Sequence, residues 1–261
     1  MTEPEITTAA EPAPSRTGAP GRLPVLLTLL ALALVTRFYQ LGDRPLHHDE
    51  SIHAFQSYTL AKDGTWRYDP AYHGPFLYYA NAFVYKVVGL PHVTNTTARF
   101  LPAVFGIILI GLAWPLSRWI GKPAAGAYAF LILISPHMAY FSRFIREDLY
   151  SLVFTLGTIL AFRYFLETEK AGWLTGAAVL FALAGVTKEN AYMTGVLFVA
   201  FGCWVFLEKA LKGKPRAAGF QAAVTGTVTW IRRHLVPIVT AGLVFLFIWA
   251  LMYSGFGKLM K

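Results

Sequence analysis

FLPAVFGIILIGLAWPL, Phe100 to Leu116, runs for 17 residues without a charged side chain. That is close to the ~20 apolar residues a helix needs to cross a bilayer. Six further runs are mainly apolar: Leu23 to Phe38 before it, and Ala124 to Tyr140, Leu149 to Leu166, Trp173 to Val186, Tyr192 to Leu207 and Val236 to Tyr253 after it. The reading is an all-α, polytopic transmembrane helical protein of about seven spans. Composition agrees, since 56% of residues are hydrophobic and 14% charged, against roughly one quarter charged in soluble domains. The net charge of +9 invites a nucleic-acid reading. However, the basic residues sit at the ends of apolar runs rather than on one polar face, so orientation in a bilayer explains them and no nucleic-acid partner is expected. The one cysteine, Cys203, lies inside an apolar run. It excludes a disulfide framework and a Cys-based zinc site.

Outward from these runs the chain divides into a tail, 1–21, and a transmembrane module, 22–261. The tail is rich in Pro, Ala, Thr and Glu and too poor in large apolar side chains to order itself, so it reads as a disordered cytoplasmic segment. No small-residue cleavage site follows the first run, which reads as an uncleaved helix. Between the first and second runs lies a polar and aromatic insert, 40–99, the first extracytoplasmic loop. Asp63-Gly64 and Tyr68-Asp69-Pro70 are turn signals, and Pro75 opens a helix from Phe76 to Val88 whose interleaved Tyr78, Tyr79, Phe83 and Tyr85 suit a membrane interface. The Lys and Arg tally is nearly even on the two sides. The densest cluster, Lys209 to Arg216 with Arg232 and Arg233, puts the N-terminus in the cytoplasm of a plasma-membrane protein. Asp43, Asp49, Glu50, Asp63, Asp69, Glu147, Asp148 and Glu189 then share the outer face, and the active site is expected there.

Ionisable groups in so apolar a chain are costly and mark function. The richest stretch is His47-His48-Asp49-Glu50-Ser51-Ile52-His53. A carboxylate there suits a base that takes a proton from an attacking hydroxyl. Asp49 and His53, at i and i+4, also suit two ligands of a divalent cation, Mg or Mn, and Asp49 equally suits a helix cap. In Ser142-Arg143-Phe144-Ile145-Arg146-Glu147-Asp148, the two arginines can hold phosphate oxygens, or can simply snorkel and cap. Thr187-Lys188-Glu189-Asn190 is a tight turn whose lysine can meet a phosphate at the membrane surface, or can be solvated. His73-Gly74-Pro75, between Tyr72 and Phe76, combines close backbone approach with rings for a sugar or lipid group. Asp49 and Glu50 are therefore the catalytic candidates, and His48, Tyr72, His73, Arg143, Arg146, Asp148 and Lys188 the substrate-binding ones. His92 and His137 read as structural, and the glycosylation-like triplet Asn95-Thr96-Thr97 carries little weight.

Taken together, HHDESIHA, YDPAYHGPFLYY and SPHMAYFSRFIRED resemble the GT-C superfamily of membrane glycosyltransferases. The similarity is closest to a flippase-activity-associated family related to protein O-mannosyltransferases (PMT-like) and to the lipid A aminoarabinose transferase. It runs over Leu23 to Tyr253. It implies transfer of a sugar, with inversion, from a polyprenyl-phosphate donor to a hydroxyl of a glycan, lipid or protein acceptor. By motif, Asp49 would be the base, Glu50 its neighbour in acceptor or metal binding, and Arg143, Arg146 and Lys188 the groups on the donor phosphate. Such proteins usually continue with more spans and an outer soluble domain, so the chain is expected to be a fragment or a minimal module. A non-catalytic partner of a lipid-linked-sugar flippase is the alternative. A transporter would place ionisable groups or Gly/Pro breaks at mid-span, whereas these charges sit at span ends.

Overall fold

The structure is a computed structural model that describes residues 22–65, 69–212 and 216–255. The expected tail lies outside these residues, as do Tyr68 of the loop and Lys214 of the basic cluster. Every regular element among the described residues is helical. In chain order the α-helices are α1 (Arg22–Phe38), α2 (His48–Asp63), α3 (Phe76–Val88), α4 (Asn95–Ala98), α5 (Phe100–Gly111), α6 (Ala113–Ile120), α7 (Lys122–Ile134), α8 (Pro136–Phe141), α9 (Glu147–Thr168), α10 (Ala171–Gly185), α11 (Asn190–Lys212), α12 (Arg216–Arg233) and α13 (Leu235–Tyr253).

All seven apolar runs are helical, but they are not equal. Among the described residues four segments are long and apolar enough to cross a membrane: Phe100–Ile120, which joins α5 and α6, then α9, α11 and α13. The remaining three, α1, α7 and α10, have 17, 13 and 15 residues. At 1.5 Å per residue a 13-residue helix rises about 20 Å, short of a ~30 Å hydrocarbon core. The count by length and composition is thus four, with three shorter apolar helices beside them. The chain also forms α12, an element not expected from the sequence because 216–233 has neither a continuous apolar run nor a strong apolar stripe.

The bundle holds together in two halves that share α5 and α9. In one, α1 packs on α5 and α7; in the other, α9 packs on α10, and α10 on α13. Over one end lies the insert, where α2 and α3 pack against each other. Its core joins Leu77, Tyr78 and Tyr85 of α3 to Tyr150 and Phe154 of α9 and to Ala184 of α10. Phe76 supplies the joint, with its ring edge-on to Phe105, Tyr150 and Phe154 at centroid separations of 6.3, 5.7 and 5.0 Å. Such aromatic pairs are favourable beyond the area they bury.

Two arginines knit the helix ends beneath the insert. Arg37 of α1, fully buried, donates to the carbonyls of Ile132 and Leu133 at 2.9 Å each, serving the otherwise orphan C-terminal carbonyls of α7. Arg143 returns the service, donating to the carbonyls of Thr36 and Gln40 at the end of α1, at 3.2 and 2.9 Å. The His73-Gly74-Pro75 segment lies along the turn between α10 and α11. There the Gly74 amide donates to the Thr187 carbonyl (3.1 Å), and the Phe76 amide to the Val186 carbonyl (3.0 Å).

Only glycine fits that junction, because a Cβ on Gly74 would stand 2.1 Å from the Val186 carbonyl oxygen. Gly74→Ala is expected to cost about 1 to 3 kcal/mol through overpacking. A thermal melt in detergent micelles reads this as a fall of several degrees, about 2 to 4 °C per kcal/mol for a chain this size.

Candidate active site

The sequence motifs that were read separately meet at the insert-covered end. Helix α2 begins there with a reciprocal cap: the His47 ring accepts from the Asp49 amide (3.3 Å), and Glu50 Oε2 accepts from the His47 amide (3.0 Å). This fixes Asp49 in the first turn of α2, half-buried, next to the exposed His48.

Glu50 does not face that space. It is 1% exposed and forms a fork with Arg99, with Nε to Oε1 at 2.8 Å and Nη2 to Oε2 at 2.7 Å. The Ile145 amide donates to the same carboxylate at 3.2 Å. The rest of the Arg99 guanidinium donates to the carbonyls of Leu41, Arg44 and Pro45 at 3.1, 2.9 and 3.1 Å. The Glu50 carboxylate is fully engaged as the bolt between α2, the α4–α5 junction and the segment before α9. This corrects the expectation that it handles acceptor or metal. Arg99 escaped the sequence reading because it stands at the loop boundary outside any motif. A single arginine opening a long apolar run was the available signal, since such a charge requires a partner.

The remaining groups form two polar clusters. In the first, Asp148 in the opening turn of α9 pairs with Lys188 and, at 3.2 Å, with Arg146. Three of the predicted residues from two distant motifs are therefore in one ion-paired group. In the second, His73 Nδ1 is 2.9 Å from Glu189. His73 holds φ at 63°, a left-handed conformation that a non-glycine residue adopts at a cost of about 1 kcal/mol or more. Such strain persists where the surroundings over-determine it and often marks a functional position. Tyr72 is half-buried beside it, and its carbonyl accepts from the Tyr78 hydroxyl at 3.2 Å. Arg143 lies apart from both clusters, on the end of α1.

Between the clusters is a buried chain of groups. Nδ1 of His53 is 2.8 Å from the Tyr78 hydroxyl, and Nε2 faces Glu147 Oε1 at 3.6 Å. Glu147 is 0% exposed, and neither of its carboxylate oxygens has a hydrogen-bond partner. Asn81 and Tyr85, farther along the inward face of α3, also carry unpartnered buried polar atoms. His53 feels the charges of Asp49 and Glu50 on its own helix and of His73 and Arg146 from two other segments, so it sits at the point of convergence. The sequence reading favoured Asp148 and passed over Glu147. In a helix neighbouring residues point about 100° apart, and the sequence does not say which of two adjacent acids turns inward.

Asp49 and His53, expected from the sequence as two ligands of a cation, both lie on α2. His53 turns its two nitrogens to Tyr78 and Glu147, and among the described residues no group of three or more His, Cys, Asp or Glu side chains could hold a metal ion.

The family profile described as dolichyl-phosphate-mannose-protein mannosyltransferase matches residues 72–201, a span that includes His73, the Arg146–Asp148–Lys188 group and Glu147. Over those residues the chain is similar to this mannosyltransferase family, and in that sense PMT-like. The crystal structure of ArnT from Cupriavidus metallidurans in the apo state has the same fold, with a TM-score of 0.65 at 19% identity over 92% of this chain. This PMT-like chain spans 45% of that one. Comparison with curated proteins returns no match.

Two outcomes follow for the buried charges of the PMT-like insert. Glu50→Gln strands the Arg99 charge in the interior and is expected to destabilise by about 3 to 5 kcal/mol; denaturant unfolding in micelles measures it, and Glu50→Met with Arg99→Met is expected to recover much of the loss. Burial, followed by the charge of His73, pushes His53 down from 6.5 to about 4. The folded protein therefore keeps His53 neutral while the unfolded chain binds a proton. Stability is full above about pH 6.5 and falls as pH drops toward 4, by up to about 3 kcal/mol. Melts of wild type and His53→Gln at pH 7 and pH 4.5 check this, the variant being expected to lose less on acidification.

Proposed function

We propose that this end of the bundle binds a polyprenyl-phosphate-linked sugar and transfers the sugar to an acceptor hydroxyl on the extracytoplasmic face of the membrane. The observation that carries the reading is the convergence on one end of a GT-C fold of Asp49, the Arg146–Asp148–Lys188 group and the His73–Glu189 pair. The fold alone does not decide a function. This set supplies what glycosyl transfer needs, a base and cations for a leaving phosphate.

In this mechanism Asp49 accepts the proton of the acceptor hydroxyl. The freed oxygen attacks the anomeric carbon, and the bond from that carbon to the phosphate oxygen breaks. The electron pair leaves with the polyprenyl phosphate. Charge grows on that phosphate as it departs, and Lys188 and Arg146 stabilise it most at the moment of transfer. Asp148 holds both cations in place, trading part of their charge for fixed geometry. His73 and Tyr72 line the approach from the insert, and His48 stands at its exposed edge.

The deciding experiment compares wild type with Asp49→Asn in membranes that contain the lipid-linked donor. Mass spectrometry follows transferred glycan and remaining donor. The variant is expected to reach the membrane in normal amount, to lose transfer by about 10²-fold or more and to leave the donor unspent. Equal glycan from both proteins would overturn the catalytic role of Asp49. The reading as a non-catalytic partner of a lipid-linked-sugar flippase would then take its place.

A further inference from the structure

The opposite end of the bundle carries a cavity that the transfer chemistry does not use. It has a volume of about 560 Å³ and lies among the first turns of α1, the last turns of α6 and the start of α7, within the ~300 to 1,000 Å³ usual for small-ligand sites. Its walls are apolar, with Leu26, Leu29 and Trp114 around a floor of small residues that includes Ala129. Gly126 also lines it, and a Cβ there would meet no atom within 4 Å.

The rim differs in kind from the walls. Arg118 is exposed and is aimed by two neighbours: its Nη2 pairs with Glu167 at 2.9 Å, and its guanidinium lies 5.5 Å from the centre of the Tyr164 ring. Lys122, across the α6–α7 turn, is exposed and has no ion pair among the described residues. Around these cations stand rings with polar handles. Trp119 donates to Glu167, and Tyr164 stacks on Trp173 at 4.8 Å. Tryptophan and tyrosine gather where hydrocarbon meets headgroups, so the belt places the rim at headgroup depth and the cavity below it among acyl chains. A basic rim over an apolar pocket between membrane helices matches an anionic lipid at both of its ends.

We propose that this cavity is a binding site for an anionic phospholipid, which lays an acyl chain against α1 and α7 and its phosphate between Arg118 and Lys122. The proposal is independent of the transfer reaction and requires only that the bundle sit in a bilayer. Native mass spectrometry of the full chain, released from micelles containing phosphatidylglycerol, phosphatidylcholine or undecaprenyl phosphate, tests it. Wild type is expected to retain one phosphatidylglycerol about tenfold more strongly than phosphatidylcholine, the order of discrimination that two cations at a headgroup supply. Lys122→Gln is expected to reduce that preference severalfold with no change in melting temperature. Gly126→Leu fills open space and is expected to lower retention of both phospholipids. Equal retention of the two phospholipids by wild type overturns the proposal, as does an unchanged preference in Lys122→Gln. Stronger retention of undecaprenyl phosphate that Gly126→Leu abolishes also overturns it, by assigning the cavity to a carrier lipid.

Discussion

The polar end of this protein depends on one buried ion pair. Glu50 and Arg99 meet in a two-bond fork with 2% and 6% of their side chains exposed, and every further bond they make goes to backbone. In that setting the pair is less a source of stability than a device of register, because two such charges repay their desolvation only when all partners are in place. What it registers is the helix that carries Asp49. Glu50 also closes the cap of α2, so the same carboxylate starts the helix, pins it to α5 and hangs it on the Ile145 amide before α9. The position of the proposed base follows from the residue beside it.

From that anchor the remaining motifs find their places by backbone contact. The Gly74 and Phe76 amides reach the carbonyls of Thr187 and Val186, which puts His73 opposite Glu189. The loop after α8 delivers Arg146 and Asp148 to Lys188. Three loops separated by up to about 140 positions in the chain are thereby reduced to one surface. The buried His53, Tyr78 and Glu147 beneath them give that surface a polar floor inside an otherwise apolar core.

Much of this was legible in the sequence, for definite physical reasons. Long apolar runs have few alternatives to helix, so the all-α bundle followed from them. Pro75 marked the start of α3, and the Phe76 to Val88 span expected from it is the one observed. Motif chemistry singled out Arg146, Asp148 and Lys188, which the structure brings into one ion-paired group. The reading failed where burial decides the role of a residue. Adjacent carboxylates look alike in a sequence, yet Asp49 and Glu50 differ in exposure, and so do Glu147 and Asp148, with the inward member of each pair doing a different job. Arg143 was grouped with Arg146 by spacing, but its hydrogen bonds go to the end of α1. The three shorter helices and α12 show the same limit, because length and hydropathy do not report what covers a helix.

The Arg37 contacts bear on how the chain is made. Its acceptors on Ile132 and Leu133 are 95 and 96 positions downstream. At ordinary synthesis rates they emerge roughly 5 to 20 s after Arg37 itself. Throughout that interval α1 is in the translocation machinery or the bilayer with a cation on its last turn that lacks its acceptors on α7. A long side chain can wait by reaching toward the headgroups. Its burial marks the moment when α7 arrives, so the first helix is held provisionally until the third apolar run is in place. Biogenesis of this bundle is then a step of late locking rather than of helices inserted and finished one by one.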